Sequence, residues 1–289
     1  MKRKKRFGDR KDGRLLRSLS PMDKVSPFIM PHKAGATNYC EDEVDITAMN
    51  HYIHEKRRQG LEGFGTMHLL VAAYVRTVTQ RPGVNRFVSG QCVYARNNIE
   101  VMLTIKREMA LNAPETIISV VFPPESTAED VFRIFQTEIE KARTEDGDFD
   151  KTAAVINYIP RPIKYLVVCL LHCLDYFGWL PKFLTDLSPF HGSIFLTSMS
   201  SLGIPPVYHH LYNFGNVPAF MSFGRNEKRY ELNSKGEVKE VRYMRYTIAL
   251  DDRICDGYYY ASALRLFKSY LKNPYLLDVP PEEIVEDID

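Results

Sequence analysis

Near the carboxyl end of the chain, Asp251-Asp252-Arg253-Ile254-Cys255-Asp256-Gly257 gathers three carboxylates and a guanidinium in one short run. An ordinary aspartate titrates near 3.9 and accepts protons poorly at neutral pH, but desolvation can lift a buried carboxylate by about 3 units and make it a base. Asp252 and Asp251 both meet that description, since the sequence does not say which of two neighbours points inward. Thr197-Ser198-Met199-Ser200-Ser201-Leu202-Gly203 supplies hydroxyls. Ser200 could donate to a developing oxyanion or cap the backbone of its own turn. His209 and His210 add two imidazoles, which titrate near 6.5 and accept protons without a large shift, although both also read as hydrogen-bonded loop residues. Cys169, His172 and Cys173 share a helix, yet a closed zinc site takes four ligands and no second pair accompanies them, so they read as packing and no metal is expected.

The elements that must carry these groups follow from periodicity. Asp45 opens a helix whose Ile46, Met49 and Ile53 share one face, and Thr66 to Val78 is apolar nearly all round before Pro82, the pattern of a buried helix. From Arg86 the period falls to two. Phe87–Tyr94 reads as a hairpin, Ile99–Lys106 as an alternating strand and Thr116–Phe122 as a continuous one. Ser126-Thr127-Ala128-Glu129 has the form of a capping box, opening a helix to about Lys141, with a polar linker over 144–151. Strands are expected over 193–199, 217–223 and 243–250, with a charged hairpin turning at Asn233–Gly236, and a last helix over 260–271. Tyr165–Leu180 is the most apolar segment, but it is interrupted by His172 and Asp175 and falls short of the roughly 20 residues that span a bilayer. A helix docked on the core is expected there, with membrane-surface contact through 161–180 as the alternative.

Composition narrows the class. The 289 residues are 45% hydrophobic and 26% charged, with a formal net charge of +2, which excludes wholesale disorder and gives no reason to expect a nucleic-acid partner. Nine Lys or Arg lie within residues 1–17, and residues 278–289 carry six acids and no base. Both ends read as solvated tails, which divides the chain into a basic arm (1–19), one catalytic domain (20–275) and an acidic tail (276–289). Five scattered cysteines and no apolar leader fit a reducing cytoplasm.

Four segments in order are similar to the chloramphenicol acetyltransferase and 2-oxoacid dehydrogenase acyltransferase superfamily. Tyr246–Asp251 running into Asp252-x-x-x-Asp256-Gly257 and a helix resembles its strand followed by His-x-x-x-Asp-Gly. Thr197–Gly203 resembles its Phe-Thr-Ile-Ser-Asn-Leu-Gly stretch, Asn216–Gly224 a later strand, and Met30-Pro31-His32 with Val44–Thr47 its opening segment. The resemblance covers about residues 20–275 and implies a two-layer α/β fold with a mixed β-sheet flanked by helices. It also implies a homotrimer, with coenzyme A or a dihydrolipoyl-type thiol and a small acceptor meeting between subunits. It puts Ser200 at the oxyanion, Asp252 at the position of the catalytic histidine, and Asp256 in a buried ion pair with an arginine, for which Arg14 and Arg17 are candidates. Arg253 and Gly257 are structural in the same pattern. A thiol titrates near 8.5, so an unshifted aspartate would take its proton uphill by roughly 6 kcal/mol, and Asp252 must be desolvated to serve. No lipoyl-bearing Asp-Lys-Ala turn is present, so the acyl carrier is expected as free acyl-CoA or on another chain. The competing expectation is a trimeric binding or scaffolding module that has lost its base.

Overall fold

The period-two stretches assemble into a six-stranded mixed sheet. Its order is β2 (Thr37–Asp45), β9 (Val238–Asp251), β8 (Ala219–Leu232), β7 (Ile194–Ser198), β5 (Ile99–Lys106) and β6 (Glu115–Phe122). This computed structural model describes residues 5–106, 115–144 and 158–289. Strand β7 runs parallel to β5 and β8, and the remaining pairs of this sheet are antiparallel. A second sheet joins β1 (Gly13–Leu15), β4 (Cys92–Arg96) and β3 (Arg86–Ser89). The helices are α1 (Pro21–Ile29), α2 (Thr47–Arg58), α3 (Thr66–Gln80), α4 (Ala128–Thr144), α5 (Arg161–Tyr176), α6 (Lys182–Leu187) and α7 (Gly257–Lys272).

Alternation along the strands decides the layers. Ile194 and Leu196 of β7, with Ala219, Met221 and Phe223 of β8, face a large core shared with α2, α3, α4 and α7. Phe195 and Phe220 face the other way, into a small cluster with Met102, Leu211, Val217 and Ala249. Helices therefore cover one face, and the opposite face is covered by the loop that follows residue 203. The expected two-layer α/β architecture is what the chain forms. Helix α3, apolar nearly all round, is buried from Leu69 through Thr79.

Several expectations need correction. The capping box lies one residue later than expected: Thr127 and Asp130 cap each other's backbone N–H groups, while Ser126 bonds the Pro123 carbonyl. Strand β2 has no apolar alternation because it is an edge strand held by charge. Glu43 forms a bidentate pair with Arg229 (2.7 and 2.8 Å), and Asp42 accepts from Lys268 and Tyr246. Most of the expected linker over 144–151 lies outside the described residues.

The described parts of the two ends, although mostly exposed, are pinned to the fold at particular residues. Arg86 and Asp287, 9% and 7% exposed, pair through two hydrogen bonds, and the Val285 N–H bonds the Thr79 carbonyl at 2.9 Å. Arg14 donates to the carbonyls of Asp287 and Ile288, and Arg6 and Arg14 pair with the Asp289 carboxylate, so charges of the basic start and the acidic finish meet across the fold. Helix α5 also departs from expectation: only Asp175 within it is buried, and Lys164, Val167, Leu171 and Leu174 are half-buried along one narrow stripe. The rest of this apolar helix faces outward.

Candidate functional site

Strand β7 ends at Ser198, and Met199 leads into a single 3-10 turn, Ser200–Leu202, closed by Gly203 at φ 72°. The left-handed conformation is why glycine occupies that place. The Met199 N–H bonds the Phe223 carbonyl at 2.8 Å and the Ser200 carbonyl accepts from the Gly203 N–H, so the turn is pinned to β8. Among the described residues the Ser200 hydroxyl makes no hydrogen bond.

The loop after the turn folds back across the open face of the sheet. Buried Ser222 accepts the Val207 N–H at 3.1 Å, and buried Thr247 donates to the Val207 carbonyl at 2.6 Å. One residue's two backbone groups are thereby tied to adjacent strands. Gly224 lets the loop approach, since a Cβ there would lie 2.4 Å from a Pro206 carbon. This clamp lays His209 on the sheet, its ring stacked on Phe220 at 3.9 Å between centroids and 6° between planes.

His209 Nδ1 donates to the His210 carbonyl at 2.8 Å, which leaves Nε2 with the lone pair. Burial, helped by the neighbouring His210, pushes its pKa below the usual histidine value, so the ring is neutral at pH 7. The ring lines a cavity of about 420 Å³ together with Thr197, Ser198, Ser201, Tyr212 and Phe195. His210 stacks on His209 but lies outside that lining and is exposed. Neither the clamp nor Tyr212 was legible beforehand, because no local pattern marks a loop that crosses a sheet.

The carboxylates occupy the other end of the sheet. Asp251 is 1% exposed and forms a bidentate pair with Arg253 (2.8 and 2.7 Å), whose third nitrogen reaches the Met30 carbonyl. Behind them Lys33 donates to the Gly215 carbonyl at 2.7 Å, and burial lowers its pKa to about 7 against the opposing pull of Asp251. Asp252 is half-buried and accepts from Asn38 Nδ2 at 2.5 Å. Of the two neighbours, it is Asp251 that points inward.

Asp256 does not form the expected buried ion pair. It is exposed and caps α7, accepting the Tyr259 N–H at 2.8 Å, while Gly257 begins the helix in open space. Arg14 and Arg17 bond backbone carbonyls at the chain ends and near Phe7. The buried aspartate–arginine pairs among the described residues include Asp251 with Arg253 and Asp175 with Arg10, the latter placed by tertiary contact.

Ser200 and Asp252 are not brought together in one chain. The Asp251 N–H bonds the carbonyl of Pro218, just before β8, and the Met199 N–H bonds that of Phe223 within it, so the two groups hang from points five residues apart and on opposite sides of that strand. Strand rise and strand spacing put them roughly 20 Å apart. A larger cavity of about 560 Å³ lies under the carboxyl-terminal segment, but its arginines are committed, Arg14 to the Asp287 and Ile288 carbonyls and Arg96 to Asn216.

No family model and no curated protein matches this sequence. Solved structures do match. A probable dihydrolipoamide acetyltransferase from Listeria monocytogenes 4b F2365 is 16% identical, with a TM-score of 0.57 over 89% of this chain and 94% of that one. The dihydrolipoamide acetyltransferase of Azotobacter vinelandii is 10% identical, with a TM-score of 0.53 over 90% of this chain and 93% of that one. For that enzyme a serine, a histidine and an asparagine are named in the catalytic mechanism, and the intervals between them in sequence equal those separating Ser200, Asp252 and Asp256. A chloramphenicol acetyltransferase is 12% identical, with a TM-score of 0.51 over 90% of this chain and 99% of that one. Strand order, layers and these matches agree: the chain has the chloramphenicol acetyltransferase-like fold, shared with dihydrolipoamide acetyltransferase catalytic cores.

Proposed function

We propose that this protein transfers an acyl group between a thioester carrier, coenzyme A or a dihydrolipoyl-type thiol, and a small acceptor. The observation that carries the reading is the neutral His209, its Nε2 lone pair free, in a cavity lined by Ser198 and Ser201, between which Ser200 opens the 3-10 turn. His209 takes the thiol or acceptor proton, and the Ser200 hydroxyl donates to the oxyanion of the tetrahedral intermediate. As base, His209 is a better candidate than Asp252. A carboxylate needs desolvation to accept a thiol proton, and within one chain Asp252 is half-buried and held by Asn38. In this reading Asp252 comes from a neighbouring copy of a cyclic assembly, which lets the two ends of the sheet face one another, and its carboxylate stabilises the imidazolium that His209 becomes. The reading is tested by thiol release from acetyl-CoA against a panel of amine, hydroxyl and thiol acceptors. Turnover that falls at least a hundredfold in His209→Gln and about tenfold or more in Ser200→Ala supports it, and no turnover by the wild type overturns it.

A second reading, a trimeric binding or scaffolding module, draws on the aspartate at the position of the family's histidine and its half-exposed state. Acyl-CoA bound tightly in calorimetry, with no turnover on any acceptor, would favour it.

A further inference from the structure

Lysine is almost never fully buried without an acid to pair it. Lys33, 5% exposed, opens the 3-10 turn Lys33–Ala36 between α1 and β2. The charged groups around it are Asp251 of β9, Arg253 in the turn that follows, Asp175 of α5 and Arg96 of β4, acids and bases in equal number. Each acid is already taken, Asp251 by Arg253 and Asp175 by Arg10. Among the described residues no carboxylate comes within ion-pair distance of the ammonium, and its hydrogen bond goes instead to the backbone carbonyl of Gly215 at 2.7 Å.

Gly215 belongs to the loop that carries His209. The near side of that loop is fixed by the clamp on Val207, and the far side ends at Asn216, whose N–H bonds the Phe190 carbonyl at 2.8 Å. Between His209 and Asn216 the backbone is held by the Lys33–Ala36 turn: Lys33 Nζ reaches Gly215, and the Ala34 N–H donates to Asn213 Oδ1 at 3.1 Å. Gly215 sits at φ 73°, and a Cβ there would lie 2.0 Å from the Phe190 carbonyl oxygen, so glycine is needed where the chain turns to offer this carbonyl.

Resting on the acyl-transfer reading of His209, we propose that Lys33 is a positioning residue for this reaction: its ammonium holds the far side of the loop and so sets where His209 lies in the cavity. A charged donor holds its acceptor roughly fivefold more tightly than a neutral one. Burial brings the Lys33 pKa down to about 7, against the pull of Asp251 and with Arg253 adding to the lowering. The charge is therefore present below pH 7 and lost above it, and the tether slackens as pH rises. Stability moves the other way. The unfolded chain keeps this proton up to about pH 10.4, so above the folded pKa the native state gains from having shed it. A loop that loosens while the fold gains stability separates positioning from a purely structural role.

Wild type, Lys33→Met and Lys33→Arg are compared between pH 6 and 8.5. The readouts are kcat/KM for thiol release from acetyl-CoA with the acceptor that turns over best, and hydrogen–deuterium exchange of residues 204–218 corrected for its intrinsic pH dependence. In the wild type, kcat/KM from its maximum and the protection of this segment should each fall about fivefold by pH 8.5. Lys33→Met should begin at or below the alkaline wild-type level in both and change no further, and Lys33→Arg, which stays charged, should lose the alkaline fall. Exchange reads the tether independently of turnover, so an inactive wild type that loosens in this pattern counts against the acyl-transfer reading and for the tether. Protection of residues 204–218 that is the same in Lys33→Met as in wild type overturns the proposal, and so does an alkaline fall of kcat/KM that persists in Lys33→Met.

Discussion

At the residue scale, chemistry turns on which imidazole is neutral and which nitrogen is free. His209 loses its Nδ1 proton's freedom to the His210 carbonyl and is kept uncharged by burial. A base with a lowered pKa is active above that pKa and lost as pH falls through it. Turnover is therefore expected to show an acid limb with an apparent pKa below the usual histidine value of about 6.5, measured as log kcat/KM against pH. His68 gives an independent sign test on stability. Burial, reinforced by the Arg57 charge, lowers its pKa to about 4. The unfolded chain takes up this proton near 6.5 and the folded chain does not, so stability falls between pH 6.5 and 4 by about 3 kcal/mol. Urea midpoints of wild type and His68→Gln across that window should diverge in this direction.

At the element scale, two tethers decide geometry. The first is the clamp of Val207 by Ser222 and Thr247. Thr247→Val strands a buried carbonyl at a cost of about 1–3 kcal/mol and frees the loop that carries His209, so turnover should drop more than the thermal midpoint does. The second is Arg10, which holds the end of α5 while His191 bonds the same Asp175 carboxylate. Although burial alone would raise it, the pKa of Asp175 is held at about 2 by His191 and Arg10. Arg10→Ala leaves that carboxylate buried with the imidazole alone, and denaturant unfolding should show a loss of about 3–5 kcal/mol.

At the scale of the whole molecule, Ser200 and Asp252 lie roughly 20 Å apart within one chain, so the joint action proposed for them requires two copies. If each site takes His209 from one copy and Asp252 from the next, His209→Gln and Asp252→Asn are each inactive alone. Dissociated, mixed in equal amounts and reassembled, they should recover about a quarter of wild-type activity, since that fraction of interfaces pairs two intact halves. Recovery of none would put all the chemistry within single chains. Sedimentation equilibrium of the wild type is expected to give a mass above that of one chain.

Sequence alone determined the strands β5, β6 and β7 and the buried helix α3, because period and apolar content are local and survive reading in one dimension. It also carried the order of the Ser200, Asp252 and Asp256 segments, and with that order the fold. Strand β2 was hidden because its Glu41, Asp42 and Glu43 take their stabilisation from Arg245, Lys268 and Arg229 on other elements. The same reason hid the folded ends, whose opposite charges meet only once the chain has closed on itself. Tertiary structure alone decided that Asp251 and not Asp252 turns inward, that Asp256 caps a helix, and that His209 lies on the sheet. Each of these depends on a partner far away in sequence, and burial, which sets a side chain's charge, exists only after the layers have packed.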